Sequence, residues 1–362
     1  MKLNALYFST SCIILVAMMM PLQLKADTIT IGKGSGIVWE GYPFSETLSG
    51  PLSDEAFDTV LGLIAISTQA GHCMANESLV SIAGYKAFPI SMNLGLIPRA
   101  TGSAQFGLLD GETGTLTGTI GLPETSATSS TVGKITNFRR AWCLTPEMIS
   151  KEHYYNKRFN RTSTLSGTWA IVANGNQTSA EIKLPRLYFA SFSKVREGDR
   201  FTVIFPTNIT LRVSALECTV STPTTINFGN VVRNVKPKIE LAKSSVSLTT
   251  SCGQSSDKIN ANINVQFRAL TGFFNGVPSQ LALKQGGGYI TGEIDNGATG
   301  SGACNSSAGV NFDSRPIKLG QINNSESIKV LNNQLTWRLC SGGNSLPSGA
   351  VDAATEMMVT FN

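Results

Sequence analysis

The stretch LECTVSTPTTINFGNVV, residues 216–232, reads like the first strand of a secreted β-domain. A cysteine at 218 is followed by alternating β-forming residues and then by a Phe-Gly turn at 228–229. This pattern predicts the start of a domain, yet it lies more than two hundred residues into a chain of 362. A chain of this length fits two domains of ordinary size, so we expect one domain before this stretch and one that begins with it.

The composition favours strands over helices. Only 15% of the residues are charged, and stretches such as TLTGTI at 115–120 and INVQFRA at 263–269 alternate with period two. Asn-Gly and Asp-Gly pairs between such stretches predict turns. The best helix candidate is SDEAFDTVLGLIAI at 53–66, with Ser53 as its cap. We therefore predict an all-β fold of two β-sandwich domains.

The first 26 residues have the features of a secretory signal. Lys2 precedes the apolar run CIILVAMMM at 12–20, which is too short to span a bilayer as a helix, and Ala26 is a small residue at the cleavage position. We expect the remaining chain to divide into domains at 27–213 and 214–362, because the boundary falls just before the domain start at Cys218.

Six cysteines remain after the signal, and an even number in an exported chain predicts disulfides. Six cysteines allow fifteen pairings, but if each domain pairs its own, neighbours in the sequence join. The expected bonds are then Cys73–Cys143, Cys218–Cys252 and Cys304–Cys340. A metal site is disfavoured because the chain has no CxxC pair and only two histidines, and we expect no metal and no cofactor.

The charge is unevenly distributed along the chain. Residues 27–133 carry three basic and ten acidic side chains, whereas residues 134–161 carry seven basic and two acidic ones. The formal net charge of the whole chain is only +5, so we expect no general attraction to nucleic acid. The positive charge is therefore a local feature.

Residues 218–362 resemble the pilin domain of chaperone–usher fimbrial subunits. The order and spacing of several short pieces carry the resemblance, and Cys304 and Cys340 are additional to the family pattern. The pieces are CTVSTPTTINFGNV at 218–231, SVSLTTSCG at 245–253, INVQFRA at 263–269, SAGVNFDSRPIKLG at 307–320 and the final strand EMMVTFN at 356–362.

The resemblance implies an incomplete immunoglobulin-like sandwich that lacks its last strand and exposes a hydrophobic groove. In this family a strand of a periplasmic chaperone fills the groove first. After transfer to an outer-membrane usher, a strand donated by the adjacent fimbrial subunit replaces it. Met357, Val359 and Phe361 alternate along the final strand, so the resemblance places the chaperone and donor-strand pairing edge there.

An ordinary shaft subunit of this family has only a short donor extension ahead of its pilin domain. Here residues 27–213 stand in that place, so the resemblance implies a subunit that accepts a strand but has none to donate, a fimbrial tip adhesin. The expected role is bacterial attachment to host cells through a cell-surface glycan or glycolipid, at the fimbrial tip outside the cell. The alternative is a structural minor pilin or tip adaptor that binds no receptor.

The segment 135–163 is the best candidate for the receptor site. It combines aromatic side chains, which stack on sugar rings, with asparagines and six basic residues. Basic groups beside aromatic ones favour an anionic receptor such as a sialylated or sulfated glycan. The segment 36–46 carries a second aromatic cluster, whose side chains we expect to pack in the core. The candidate receptor-binding residues are Arg139, Arg140, Tyr154, Tyr155, Lys157, Arg158 and Arg161.

Catalytic motifs are missing from the sequence. It contains no G-x-S-x-G element, and His72 and His153 lie outside any serine and aspartate pattern, so we expect no enzymatic activity. Six N-x-S/T sequons leave a third alternative, a glycosylated immunoglobulin-like surface protein of a eukaryote. That alternative predicts that residues 218–362 fold stably alone, whereas a pilin domain needs an added strand.

Overall fold

The computed structural model describes residues 28–51, 62–147, 156, 158–192 and 200–362. Within these ranges every regular element is a strand, apart from two 3₁₀ turns at Asn76–Ser78 and Phe274–Gly276. No helix in the described ranges is long and apolar enough to cross a membrane. The signal expected at 1–26 lies outside them.

The strands of the N-terminal part are short on average, with three long exceptions in β2, β6 and β11. They are β1 (Thr28–Ile31), β2 (Ser35–Pro51), β3 (Gly62–Ser67), β4 (Val80–Ile82), β5 (Tyr85–Ser91), β6 (Leu94–Gly107), β7 (Thr113–Gly121), β8 (Ser126–Ser129), β9 (Gly133–Ile135), β10 (Cys143–Leu144), β11 (Asn160–Asn174), β12 (Ala180–Lys183), β13 (Leu187–Phe192), β14 (Arg200–Phe205) and β15 (Thr210–Val213).

The strands of the C-terminal part begin at Leu216, separated from the end of β15 by two residues. They are β16 (Leu216–Ser221), β17 (Glu240–Gln254), β18 (Ala261–Ala269), β19 (Leu281–Ala282), β20 (Gly288–Ile294), β21 (Ile317–Ile322), β22 (Ile328–Ser341) and β23 (Thr355–Phe361).

Two sheets form the N-terminal sandwich. Strands β2, β11, β6, β7, β8 and β9 follow one another in the larger sheet, which the β4–β5 hairpin joins at β6, and β10, β3, β13 and β14 form the smaller one. Alternation with period two creates the core: in β11, Leu165 and Trp169 are buried, while Thr162 and Ser166 are exposed. The indole Nε1 of Trp169 donates to the carbonyl oxygen of Ile204 at 3.2 Å, which satisfies the polar atom of this central ring.

The C-terminal sandwich packs the five-stranded sheet β16-β17-β22-β20-β19 against strands β23, β18 and β21. In its core, the ring centroid of Phe267 lies 5.8 Å from that of Trp337 and 6.4 Å from that of Phe312. The largest buried cluster ends at Val213, and the buried clusters of the C-terminal part begin at Leu216. The domain boundary at 213/214 stays a prediction, which this separation of the cores supports.

One sheet runs through both sandwiches. Strands β12, β15 and β1 continue into β23, β18 and β21 in a single six-stranded sheet. The junction is one antiparallel pair, Thr30 with Phe361. Gly32, which follows β1, lies so close to β16 that a Cβ at this position would overlap the carbonyl oxygen of Leu216. In the described part of the chain, β23 is therefore paired with β18 over its whole length and with β1 only at its end.

The helix predicted at 53–66 is wrong in its described part. Gly62–Ser67 form β3, a strand whose six residues are all buried, and residues 52–61 lie outside the described ranges. A strand that is covered on both faces has a continuous apolar sequence, which periodicity does not distinguish from a buried helix.

Three disulfides join the cysteine pairs that neighbour each other in the sequence: Cys73–Cys143, Cys218–Cys252 and Cys304–Cys340. The last of these connects the glycine-rich segment before 309 to β22. Beside it, the hydroxyl of Tyr289 donates to the carbonyl oxygen of Cys304 at 2.6 Å. Burial of the Tyr289 side chain raises its pKa, because it disfavours the charged phenolate.

Candidate functional site

A cavity of about 360 Å³ opens on the N-terminal sandwich, where the β4–β5 hairpin and the β7–β8 turn face the segment before Cys143. Buried apolar side chains line its base, half-buried aromatic rings line its sides, and polar groups line its rim. Cavities of this size and composition are typical of small-ligand sites. The lining side chains that matter below are Ile97, Leu122 and Trp142 at the base, Tyr85 and Phe138 at the sides, and Asn76, Lys86, Glu124 and Arg140 at the rim.

The segment that carries Arg140 is held at both ends. On one side the Asn76 side-chain amide donates to the carbonyl oxygen of Arg139 at 3.0 Å. On the other side Trp142 is buried with a φ of +50°, which costs a residue with a side chain about 1–3 kcal/mol. Ile66 N donates to the Trp142 carbonyl oxygen at 2.9 Å, and the disulfide at Cys143 follows directly. These contacts hold the strained turn in place and leave both arginine side chains exposed.

A glycine shapes the turn on the opposite side of the cavity. Gly121 has a φ of +84°, and a Cβ there would overlap the carbonyl oxygen of Pro98. Pro98 O accepts a hydrogen bond from Leu122 N at 2.9 Å, so it is not free to move away. The cavity therefore depends on glycine at this position.

We expect Gly121→Ala to destabilise the N-terminal domain by about 3 kcal/mol or more, because it adds an overlap to an unfavourable φ. Gly111→Ala is the matched control: its φ of +91° is similar, but nothing lies within 4 Å of its Cβ. The control is expected to cost about 1 kcal/mol. Urea unfolding of both variants measures the difference, and equal losses would contradict the overlap at Pro98.

The rim of the cavity is predominantly basic. Of the described residues that line the cavity, Lys86 and Arg140 face a single acidic one, Glu124, and the exposed Arg139 precedes Arg140 in the sequence. Among the described residues, none of these three basic side chains has an ion-pair or side-chain hydrogen-bond partner. Their charges are therefore free to pair with an anionic ligand.

The predicted site residues do not all lie together. Ile97 at the cavity base is paired with Ala170 in β11. Arg161 lies nine residues before Ala170 in the same strand, which places it about 30 Å from the cavity at 3.3 Å per residue. Arg158 is exposed at that distant end, where Asn156 N donates to Gly107 O. The structure thus separates Arg139 and Arg140 from Arg158 and Arg161. The predicted site residues Tyr154, Tyr155 and Lys157 lie outside the described residues.

Arg161 was predicted as a receptor-binding residue, and that prediction is wrong because the residue is buried. Its side chain is 0% exposed and donates to the carbonyl oxygens of Gly50, Pro51 and Ser191 at 2.5, 2.9 and 2.7 Å. Alternation explains the position, because Arg161 occupies the same inward face of β11 as Ser163 and Leu165. Arg161 therefore fixes β11 to β2 and β13 from inside the sandwich.

The second aromatic cluster, at 36–46, packs in the core, as predicted from the sequence. Trp39 is 8% exposed, and its ring centroid lies 5.6 Å from that of Tyr42. The ring centroid of Phe44 lies 5.8 Å from that of Trp169. Tyr85 and Lys86, which do line the cavity, were missed because a hairpin far away in the sequence brings them there.

The C-terminal sandwich has an incompletely covered core between β16 and β23. Apolar side chains that point between the sheets are only half-buried there, with Val220 and Ile226 on one side and Met357 and Val359 on the other. Phe361 is buried at the end where β1 meets β23. Among the described residues, no strand pairs with this edge of β23 before Phe361, so the edge lies free beside an open groove.

Comparisons with known proteins give structural likeness only. No protein-family model and no curated protein matches the chain. Similar solved chains include one from a chaperone–tip adhesin complex of CFA/I fimbriae biogenesis, with 8% identity over 92% of this chain and 95% of that chain, at a TM-score of 0.23. The CupB6 tip adhesin from Pseudomonas aeruginosa has 12% identity over 90% of this chain and 88% of that chain, at a TM-score of 0.26.

A mutant of the CFA/I adhesin CfaE from enterotoxigenic E. coli is also similar, with 8% identity over 92% of this chain and 96% of that chain, at a TM-score of 0.23. Superpositions at such TM-scores do not transfer a function to this chain. Its function has to follow from its own cavity and strand edges.

Proposed function

We propose that this chain is a fimbrial tip adhesin of the chaperone–usher type, which attaches a bacterium to host cells by binding an anionic glycan or glycolipid without covalent chemistry. The observation that carries the proposal is the cavity with aromatic sides and a basic rim on the N-terminal sandwich. The unpaired edge of β23 supports the assembly route. The sequence resemblance of residues 218–362 to pilin domains agrees with that route.

Receptor binding in the cavity combines stacking with charge pairing. The ring of Tyr85 or Phe138 offers an apolar face to a sugar ring. Arg140 and Lys86 are placed to pair with a carboxylate or sulfate on the same glycan. The Arg140 guanidinium gives a bidentate contact with such a group, and Arg139 adds a second positive charge beside the rim.

Assembly uses the other domain. A strand from the periplasmic chaperone pairs with β23 and covers the half-buried side chains of Met357 and Val359. After transfer at the outer-membrane usher, the adjacent subunit's strand takes its place. The signal at 1–26 leads into this route, and the fimbrial tip on the bacterial surface is its end point.

We expect Arg140→Ala to weaken binding to an immobilised sialylated mucin about tenfold, since it removes a charge-assisted contact. Arg158→Ala is the matched control, because this equally exposed arginine lies about 30 Å from the cavity and its loss should leave binding within a factor of two. Binding of the full chain is measured at 50 and 500 mM NaCl, and the salt should weaken it.

Equal losses in the two variants would contradict the cavity as the receptor site. A full chain that is folded and binds no glycoconjugate would instead favour the structural alternative, a minor pilin or tip adaptor.

A further inference from the structure

The outer face of the larger N-terminal sheet carries an ordered array of hydroxyl groups, here called the hydroxyl face. Strands β2, β11, β6 and β7 lie side by side, and their outward positions align in three rows across the sheet. The rows are Ser45–Ser166–Thr101–Thr119, Thr47–Thr164–Ser103–Thr117 and Ser49–Thr162–Gln105–Thr115.

The hydroxyl face is polar and uncharged at all twelve of these positions, eleven of which are serine or threonine. Neighbouring hydroxyls bond across strands, as between Ser103 Oγ and Thr164 Oγ1 at 2.8 Å and between Ser49 Oγ and Thr162 Oγ1 at 3.2 Å. Rows repeat at about 6.8 Å along the strands and columns at about 4.8 Å across them. Such a surface offers closely spaced donors and acceptors without a charge.

One row of the hydroxyl face leads into a cleft of about 430 Å³ between the two domains, here called the interdomain cleft. Thr101, Thr119 and Ser166 line it from the N-terminal side. From the C-terminal side comes Phe273, an aromatic side chain that is 39% exposed. An aromatic ring beside converging hydroxyl groups is a suitable site for a sugar ring.

The charges in the interdomain cleft are balanced and already paired. Glu40 and Arg99 form an ion pair at 3.1 Å. Two further ion pairs join cleft residues to residues outside the cleft. Arg268 pairs with Glu356 at 2.5 Å, and Asp313 pairs with Arg315 at 2.9 Å. Within the described ranges, two acidic and two basic side chains thus line the cleft, and each is neutralised by a partner. The cleft therefore fits an uncharged ligand, unlike the basic cavity at Arg140.

We propose that the interdomain cleft and the hydroxyl face form a second binding site, for an uncharged oligosaccharide or polysaccharide chain. One sugar unit stacks on Phe273 in the cleft, and the following units lie along the hydroxyl rows. Because the cleft has walls from both domains, an occupant contacts both and favours the arrangement of domains in which the cleft is formed.

The test is titration of the full chain with neutral oligosaccharides of two to six glucose, mannose, galactose or N-acetylglucosamine units. At least one series should bind, with the same affinity at 50 and 500 mM NaCl. Phe273→Ala should weaken that binding about tenfold through loss of stacking, and Thr101→Val about fivefold through loss of a hydrogen bond. Thr219→Val removes an equally exposed strand hydroxyl on β16 and should change nothing.

Arg140→Ala separates this proposal from the proposed adhesin function, because it should reduce binding of acidic glycans and leave neutral oligosaccharide binding unchanged. Absence of binding to every series would overturn the second site. So would neutral binding that survives Phe273→Ala. A concentration-dependent dimer that Thr101→Val disrupts would assign the hydroxyl face to a second copy of the chain and would also overturn it.

Discussion

Joining an added β-strand to Asn362 through a flexible linker is expected to raise the midpoint of thermal unfolding of the C-terminal domain by roughly 10–20 °C. A strand that alternates large apolar and polar residues would pair with β23 and cover the half-buried side chains of Val220, Met357 and Val359. The added strand buries its own apolar side chains together with those of the groove and forms backbone hydrogen bonds with β23, and these gains oppose the entropy cost of ordering it. A net gain of about 3–5 kcal/mol corresponds to that shift in midpoint.

The control strand has the same length and linker, with serine at each apolar position, and should leave the midpoint unchanged. The pairing of Thr30 with Phe361 limits the free edge of β23 to residues 355–360, so lengthening the strand beyond about seven residues should add little. If the unmodified chain already unfolds at the midpoint of the fused one, the groove is not an acceptor. That result would favour a self-sufficient immunoglobulin-like domain.

Arg161→Met is expected to lower the free energy of unfolding of the N-terminal domain by about 3–5 kcal/mol. The change leaves the carbonyl oxygens of Gly50, Pro51 and Ser191 without the donor that satisfies them, and each such buried group costs about 1–3 kcal/mol. Methionine has a similar volume, so loss of packing contributes little. The free energy is measured by urea unfolding, monitored by tryptophan fluorescence.

Arg158→Met is the control, since Arg158 is exposed and its replacement should change the free energy by less than about 0.5 kcal/mol. Arg161→Lys should recover only part of the loss, because an ammonium group does not reach three carbonyl oxygens in the geometry of a guanidinium. A stability of Arg161→Met equal to that of the wild type would show that Arg161 is not a structural anchor.

The strand pattern of the sequence predicted the class of fold because side-chain alternation is a local property. The start of β16 at Leu216 and the alternation in β23 are both visible in short stretches. β3 was predicted as part of a helix because burial on both faces removes alternation, and burial on both faces depends on strands that are remote in sequence.

The candidate site was only partly predictable for a related reason. The charge excess of 134–161 pointed to Arg140, which lines the cavity, but also to Arg161, which is buried. Charge alone does not report which face of a strand a residue occupies or which carbonyl oxygens meet it. Tyr85 reaches the cavity through a hairpin, and no local signal marks that contact.

The most direct test of the proposed function is a screen of the full chain carrying Phe273→Ala, which weakens neutral binding at the interdomain cleft, against matched pairs of glycans. Each acidic glycan stands beside the same glycan without its sialic acid or sulfate. We predict binding to a few acidic members, little binding to their neutral partners, and loss of the acidic binding when Arg140→Ala is added. Equal binding to both members of each pair, or acidic binding that Arg140→Ala leaves intact, would contradict it.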